Sequence, residues 1–422
     1  MTLRSRALAG LRLPAVAFIV LAASRAAAQV PSTSATQAAI GTPLTYAAAL
    51  SLATTRNLAL EAARRQRAIR EAAVRIARQI PNPDVIVEVT RDVPHQIASF
   101  NLPVEIGGKR SRRVDLAREE LTLAGVDVQT EMRAVRRDLR QSFYALMAAD
   151  EQVELAESVL DIARRVRDAA QARFETGAAP RLDVLQADLG AARAETDLDL
   201  ARSTRIAAQA SLNGVLNASP QEARVVAGSL TDNTTVPAYN RALAIALTSN
   251  VDLTRIDREI AVEQRRGDLV RAERIPTPVF TVGGVFNAPG EFTAGLSGAV
   301  GIGLPIFSRN QGEIAESIAA ASKLRAERDA TRRTIENEVF GTLARIDARR
   351  RQVDAYRQRL VPTASNLESL AEESYRAGRT SVLAVFDAQR SLRDFRRDAT
   401  QAALDLQFSI ADLEQLLGTS LP

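Results

Sequence analysis

The sequence predicts a mainly α-helical protein in which short groups of β-strands separate long helices. Two observations carry this prediction: long stretches without proline, and a few stretches in which apolar and small residues alternate. A third observation is that the same order of elements is found twice along the chain of 422 residues. Hydrophobic residues make up 46% of the chain, which is enough for packed cores in both halves.

Four pairs of matching segments occur in the same order in the two halves, which indicates an internal twofold repeat. The pairs are ALSLATTRNLAL (49–60) with ALAIALTSNVDL (242–253), IPNPDVIVEV (80–89) with IPTPVFTVGG (275–284), NLPVEIGGKR (101–110) with GLPIFSRNQG (303–312), and RFETGAAPRLDVLQA (173–187) with SYRAGRTSVLAVFDA (374–388). We therefore expect a first repeat over 44–216, a linker over 217–236 and a second repeat over 237–422. Each repeat reads as helix, strand, strand, long helix, glycine turn and return helix.

The long helices are predicted from the absence of proline between about 108 and 175 and between about 311 and 360. At about 1.5 Å per residue, a continuous helix of either length approaches ~100 Å. Apolar residues at alternating spacings of four and three run from Ala399 to Leu417, which is typical of a coiled-coil seam. The helices are therefore predicted to pack as long hairpins.

Strands are predicted over roughly 84–90, 97–104, 279–287 and 292–306. In the last strand, one parity is apolar and includes Phe292, Leu296, Val300 and Ile302, whereas the other is mostly Gly, Ser and Ala. Four strands cannot close a barrel, and open strand edges are costly in lipid because their backbone groups find no partners. Three chains would supply twelve strands, with the apolar parity toward lipid and the small parity toward a lumen.

The N-terminus has the pattern of a secretory signal peptide over residues 1–28. Arg4, Arg6 and Arg12 precede the apolar run LPAVAFIVLAA, and three alanines precede Gln29. Residues 29–43 are interpreted as an N-terminal extension of the exported chain.

Several functional classes are excluded by composition. The net charge of +5 comes from Arg interleaved with Asp and Glu along helices, rather than grouped with aromatic residues as in nucleic-acid sites. One His and no Cys do not provide the usual ligands of a transition-metal site. The run IGGKRS (106–111) lacks the first glycine of a phosphate-binding loop. We therefore expect no enzyme activity, no catalytic residue, no cofactor and no bound metal.

At these repeated segments the chain resembles the TolC family of outer-membrane efflux factors, over essentially its whole exported length. The run PVEIGGKRSRR (103–113) further resembles the branch of heavy-metal efflux factors typified by CzcC. The resemblance implies a homotrimer in the Gram-negative outer membrane, with long helical hairpins forming a trimeric α-barrel in the periplasm below a 12-stranded β-barrel. It also implies two protein partners, a periplasmic adaptor and an inner-membrane pump.

The resemblance assigns roles to two glycine-centred helix tips. Residues expected to contact the adaptor are Arg173, Phe174, Gly177, Leu182, Gly378 and Leu383. Residues expected to form the periplasmic aperture are Asp387, Asp183, Tyr375 and Arg379. Relatives carry two Asp residues three apart, which here are Ala384 and Asp387, and the usual arginine partner of the tyrosine falls on Thr380, next to Arg379. The alternatives are ordinary helix capping by the glycines and, for each Asp, a solvated side chain that pairs with a nearby Arg.

Three functions remain open from the sequence. The first is a passive exit duct for heavy-metal cations supplied by a proton-driven pump. The second is the same duct for drugs or for type I protein secretion, because the cargo is chosen by a pump that this sequence does not encode. The third is a structural periplasmic coiled coil without a pore.

Overall fold

The computed structural model describes residues 43–231, 234–288 and 292–421 of the chain. The predicted signal peptide and the extension up to residue 42 lie outside this part, and so do the side chains of residues 287, 288, 292 and 293. The fold described below is therefore that of residues 43 onward.

The described elements alternate between helix pairs and strand pairs. In the first half they are β1 (Leu44–Thr45), α1 (Tyr46–Arg56), α2 (Leu58–Ala77), β2 (Asp84–Val89), β3 (Gln96–Pro103), α3 (Lys109–Glu175), α4 (Arg181–Val215) and β4 (Val226–Ala227). In the second half they are α5 (Tyr239–Ser249), α6 (Val251–Glu273), β5 (Val279–Ala288), β6 (Phe292–Gly301), α7 (Gln311–Ala355), α8 (Val361–Arg376) and α9 (Val382–Leu417). A π-helical turn, Tyr356–Leu360, connects α7 to α8.

Long helices connect the strands to the two glycine-centred turns, as the proline-free segments predicted. Helix α3 has 67 residues, which corresponds to about 100 Å, and α7 with its 45 residues continues through the π-helical turn into α8. Pro362 is compatible with this continuity because it lies in the first turn of α8. None of the described helices carries a stretch both long and apolar enough to cross a lipid bilayer.

Two asparagines connect helix starts to helix ends. The side chain of Asn57 caps α2 by accepting the N–H of Leu60, and its amide donates to the carbonyl of Val215 at the end of α4. In the second half, Asn250 caps α6 and donates to the carbonyl of Leu416. Each asparagine therefore ties a short helix pair to the end of a return helix.

The main core surrounds the middle of α3, where the side chain of Arg140 is buried among aromatic and polar partners. Its guanidinium donates to Glu414 Oε1 at 2.9 Å and to Gln407 Oε1 at 3.0 Å, and it lies 5.6 and 5.5 Å from the ring centroids of Tyr46 and Tyr144. Burial raises the pKa of the Tyr46 hydroxyl to about 12, with Glu414 acting in the same direction. A buried cation requires acceptors. Because the partners of Arg140 come from α1, α3 and α9, these contacts hold the three helices together.

The four longer strands form one antiparallel sheet in the order β2-β3-β5-β6, and β1 pairs with β4 in parallel. Cross-strand pairing connects Val85 with Phe100 and Phe100 with Val282, so these side chains share one face of the sheet. The other face includes Ser99, Gly283 and Ser297, which are also aligned across the strands. One face is thus apolar and exposed, and the other carries mostly small or polar residues.

The last strand is shorter than the sequence predicted. Strand β6 ends at Gly301, which pairs with Val279, and the expected extension to 306 is wrong. On the other side of β5, the carbonyl of Pro278 accepts the N–H of Val104, so pairing with the β3 side extends one residue beyond the last pair of β5 with β6. Ile302, expected as a lipid-facing strand residue, consequently follows the strand instead of lying in it, although its side chain is exposed.

Candidate functional site

The first helix tip joins α3 to α4 through a glycine in the left-handed conformation. Gly177 has φ of 73°, its N–H donates to the carbonyl of Phe174 at 2.9 Å, and the N–H of Ala178 donates to the carbonyl of Arg173 at 2.8 Å. This pair of bonds ends α3 in a Schellman-type turn, which favours Gly because a Cβ is strained at this φ. Pro180 then precedes the first turn of α4.

The second tip joins α8 to α9 in the same way. Gly378 has φ of 71°, its N–H donates to the carbonyl of Tyr375 at 2.9 Å, and the N–H of Arg379 donates to the carbonyl of Ser374 at 2.8 Å. Both glycines therefore cap helices, and a Cβ built at either one meets no other atom within 4 Å. The constraint at these positions is the backbone conformation and not the available space.

The two tips are held to each other by Arg173 and Tyr375. The Arg173 Nη1 atom donates to the carbonyl oxygen of Tyr375 at 2.9 Å, and its guanidinium carbon lies 4.7 Å from the centroid of the Tyr375 ring. The Tyr375 ring itself packs with Val166, Val382 and Val385. Arg173, expected from the sequence to face the adaptor, therefore also connects the tips within one chain.

Tyr375 is 2% exposed, and its hydroxyl has no hydrogen-bond partner within the described residues. Burial raises the pKa of this hydroxyl, Arg173 opposes the increase and Asp183 adds to it. The arginine that contacts Tyr375 thus comes from the other tip. Arg379, the arginine expected at the aperture, is exposed, and its side chain makes no hydrogen bond or ion pair with the part of the chain described.

The two aspartates expected at the aperture occupy different environments. Asp183 is half-buried in the first turn of α4, where its charge acts on Tyr375. Asp387 is exposed on α9. Neither carboxylate forms an ion pair with any Arg or Lys of the described chain. The interpretation of each as half of a surface ion pair is therefore not supported within one chain.

A groove lies between α4 and α9 beside the tips, with a cavity volume of about 280 Å³. We call this the inter-hairpin groove, and its lining includes Leu189, Gly190, Arg193, Leu383, Phe386 and Asp387. The ring of Phe386 packs so closely on Gly190 that a Cβ there would lie 2.9 Å from a ring carbon. Sequence reasoning missed this contact, for which the only signal is a glycine inside a predicted helix.

Apolar side chains at the tips are exposed in the single chain. Phe174 is near the end of α3, Leu182 is in the first turn of α4 and Leu383 is in the first turn of α9, and all three side chains are exposed. Within the described residues, no three His, Cys, Asp or Glu side chains come together in a way that could hold a metal ion. The tips therefore expose apolar side chains, and their acidic side chains do not form a cluster within the described residues.

The residues expected to face lipid lie on the apolar face of the sheet or next to it. Leu296 is 94% exposed and Val300 is exposed as well, and both are in β6 on the same face as Phe100 and Val282. Phe292 begins β6, but its side chain lies outside the part of the structure that is described. The exposed apolar surface of β6 continues into the segment after Gly301.

Long helical hairpins with paired tips, joined to a sheet that exposes an apolar face, define a channel protein of the bacterial outer membrane. Residues 49–218 and 243–419 match the outer membrane efflux protein family, and the chain belongs to this family. It is a non-enzymatic efflux channel of the outer membrane that extends into the periplasm.

Known relatives support this assignment. The chain is 32% identical over 366 residues to the cobalt-zinc-cadmium resistance protein CzcC of Cupriavidus metallidurans, covering 83% of this chain and 84% of that protein. The fold is similar to that of CusC, with a TM-score of 0.73, 17% identity and coverage of 89% and 92% of the two chains. It is also similar to the outer membrane protein VceC of Vibrio cholerae, with a TM-score of 0.72, 15% identity and coverage of 89% and 96%.

Proposed function

We propose that three copies of this chain form a passive duct that carries heavy-metal cations from the periplasm to the exterior. In this proposal a proton-driven pump of the inner membrane supplies the cations, and a periplasmic adaptor joins pump and duct. The observation that carries the proposal is the four-stranded sheet with one exposed apolar face and two edges free of strand partners within the described chain.

Trimerisation follows from the edges of the sheet. Strands β2 and β6 are terminal in the sheet, so each has one side without a paired strand in the described chain. Such edges are costly in lipid, and three sheets joined edge to edge make a closed barrel of twelve strands. The apolar face that includes Val85, Val282 and Leu296 then meets lipid, while the face with Ser99 and Ser297 lines the lumen.

The helices continue the duct as a trimeric α-barrel in the periplasm. The two similar tips, and the parallel roles of Asn57 and Asn250, support an internal twofold repeat over 44–216 and 237–422. Residues 1–28 direct export and are then removed, in keeping with the charged and apolar pattern of that segment.

The periplasmic aperture is built from the two tips. Threefold symmetry turns each Asp387 into a ring of three carboxylates, and Asp183 forms a second ring nearer Tyr375. Both carboxylates lack ion-pair partners in the described chain, which leaves their charge available to attract cations. The contact of Arg173 with Tyr375 stabilises the closed arrangement of the tips.

The adaptor docks on the tips and the inter-hairpin groove. Phe174, Leu182 and Leu383 provide exposed apolar contacts there, with Gly177 and Gly378 at the turns. Contacts of this kind, surrounded by charged side chains, are typical of a specific protein interface.

Heavy-metal cations are the proposed cargo because the relative with 32% identity is named for resistance to cobalt, zinc and cadmium. No bound metal is required for this role, since the duct conducts ions that the pump delivers. Drugs or secreted polypeptides are the second candidate cargo.

The proposal is tested by replacing the tip glycines in a strain that depends on this duct for growth in zinc, cobalt or cadmium. Gly177→Glu with Gly378→Glu is expected to abolish resistance while trimer and surface expression stay normal, since it strains the turns and adds like charges to the docking ring. Gly312→Glu is the control, because a side chain at this exposed helical glycine meets no atom within 4 Å. Full resistance in the double variant, or a stable monomer in native mass spectrometry of the wild type, contradicts the proposal.

A further inference from the structure

Specific contacts connect three of the four places where helices meet strands. Arg110 at the start of α3 donates its Nε to the carbonyl of Arg78 at the end of α2, at 2.7 Å. Lys109 donates to Thr277 Oγ1 at 2.6 Å, and the backbone of Gly107 lies against the side chain of Ile275. The order of the strands and the contacts between neighbouring helices place these junctions at one level of the molecule, directly below the sheet.

Exposed arginines without ion-pair partners in the described chain lie at these junctions, although the charge of Arg110 helps to lower the pKa of Glu105. None of them forms an ion pair within the described chain, and they are Arg78, Arg110, Arg112, Arg274 and Arg309. Nearby arginines behave differently, since Arg113 binds Glu105 and Arg271 binds Asp268. The junction arginines therefore form a local excess of positive charge that is not neutralised by ion pairs within the described residues.

Exposed apolar side chains lie among these arginines. They are Ile80, Ile106, Leu304, Ile306 and Phe307. Phe307 is 93% exposed and lies two residues from Arg309. Leu304 and Ile306 lie in the segment between β6 and α7, next along the chain from the exposed Leu296 and Val300. We call the five arginines and these five apolar residues the junction patch.

We propose that the junction patch binds the anionic phosphate groups of phospholipids in the leaflet that faces the periplasm. This inference rests on the proposed function, in which the apolar face of the sheet meets lipid and the helices lie in the periplasm. Guanidinium groups bind phosphate through charge-assisted hydrogen bonds, and basic residues beside a membrane segment attract anionic lipids. The apolar side chains then enter the edge of the hydrocarbon region, and the arginines lie at headgroup level.

The composition of the patch favours lipid over the duct lumen. Five arginines without ion-pair partners facing the lumen would repel the cations that the duct is proposed to conduct. A phenylalanine as exposed as Phe307 is also costly in water and is stabilised by contact with acyl chains. Contact with lipid gives the arginines phosphate partners and also removes the Phe307 side chain from water.

The test uses the full-length trimer and measures the phospholipid that it retains. The wild-type trimer in detergent is incubated with equal amounts of phosphatidylglycerol and phosphatidylcholine of matched chains, and bound lipid is counted by native mass spectrometry. We expect preferential retention of phosphatidylglycerol. The triple variant Arg110→Gln, Arg274→Gln and Arg309→Gln is expected to reduce this preference about tenfold.

The matched control is the triple variant Arg325→Gln, Arg333→Gln and Arg351→Gln. It removes three exposed arginines of α7 that also lack ion pairs in the described chain, and it should leave the preference unchanged. An equal loss in both triples, or no loss in the junction triple, overturns the proposal. A change of ion selectivity in planar bilayers without a change of lipid retention overturns it too, because the arginines then line the lumen.

A single substitution tests the apolar part of the patch. Phe307→Ser should weaken flotation of the trimer with phosphatidylglycerol vesicles and leave the trimer intact. Dissociation of the trimer instead shows that a second copy covers this residue and overturns the assignment to lipid. Conductance tests the proposed duct, and lipid retention tests the junction patch. A variant with normal conductance therefore leaves the proposed function in place even if the lipid inference fails.

Discussion

Arg173 at the end of α3 and Tyr375 at the end of α8 lie on different helical hairpins, yet the guanidinium of one covers the ring of the other at 4.7 Å. The same guanidinium donates a hydrogen bond to the carbonyl of Tyr375. One side chain therefore fixes the position of the second tip relative to the first. Any movement that separates the tips must break this contact.

Removing the guanidinium should allow the tips to separate. We expect Arg173→Ala to weaken the interaction between the two tips by about 1–3 kcal/mol, because it removes both a cation–π contact and a charged hydrogen bond to a carbonyl. Because the chain has no Cys, spin labels at Leu182→Cys and Leu383→Cys report the distance between the tips by pulsed electron paramagnetic resonance. A longer and broader distance distribution, with increased conductance, is expected.

Two variants separate the guanidinium from other effects. Arg379→Ala should leave the distance unchanged, because the Arg379 side chain has no contact of this kind in the described chain. Tyr375→Phe should also be nearly neutral, since the buried hydroxyl has no hydrogen-bond partner in the part of the chain that is described and the ring is retained. Identical distances in wild type and Arg173→Ala would show that other contacts hold the tips.

Charge placed on the apolar face of the sheet should prevent membrane insertion. Leu296→Arg puts a guanidinium on this face, where Arg near the bilayer centre costs about 2–4 kcal/mol. Ser297→Arg changes the adjacent residue, which is on the opposite face, and it should be tolerated far better. Heat-resistant trimer in outer-membrane fractions is the measurement, and equal damage by both variants shows that the faces are assigned wrongly.

Selectivity at the mouth should depend on Asp387. Asp387→Ala removes a ring of three carboxylates in the proposed trimer, so cation preference and block by multivalent cations should both decrease in planar bilayers. Trimer stability should not change, because the side chain is exposed and forms no ion pair in the described chain. Asp183→Ala is the comparison and should have a smaller effect. Unchanged selectivity in channels of normal conductance places the gate charge elsewhere.

Glu368 should make stability depend on pH. This carboxyl is 9% exposed on α8, and its Oε1 has no hydrogen-bond partner among the described residues. Burial raises its pKa, Glu372 adds to the increase, and Arg396 and Arg165 oppose it. The pKa of Glu368 in the folded state is then above 4.5, its value in the unfolded state. Its contribution to the free energy of unfolding is therefore fully present below pH 4.5 and is lost as pH rises through the folded-state pKa.

The matching variant is Glu368→Gln, which stays neutral at every pH. It should raise the melting temperature at pH 7 more than at pH 5 and flatten the pH profile of stability. Glu373→Gln on the exposed side of the same helix is the control. A pH profile of Glu368→Gln that follows the wild type would assign the dependence to another group.

The local sequence was sufficient to predict the long helices, the conformation of the tip glycines and the alternation of apolar and small residues in β6. Of the seam predicted from Ala399 to Leu417, the members from Ala403 onward are buried along α9 and Ala399 is half-buried, because helical periodicity is a local property. Gly177 and Gly378 take positive φ, as capping glycines do. Helix propensity and turn chemistry act over a few residues, so one sequence reveals them.

Contacts between distant segments could not be predicted in this way. The partner of Tyr375 is 202 residues away, whereas reasoning from the resemblance placed it at Thr380 or Arg379. The packing of Phe386 on Gly190 likewise depends on how two hairpins meet. The end of β6 was missed because it depends on where pairing with β5 stops, at Val279 and Gly301, and the apolar alternation continues beyond this pair.

The two unpaired edges of the sheet have a consequence for how the protein reaches its working form. Helical hairpins can form within one chain, because their hydrogen bonds close over four residues. In the proposed trimer, strands β2 and β6 find their edge partners on other copies, so the stability of the sheet would follow mass action. Dilution should therefore unfold the sheet while the helices persist, and the rate of insertion should rise steeply with the concentration of newly exported chains.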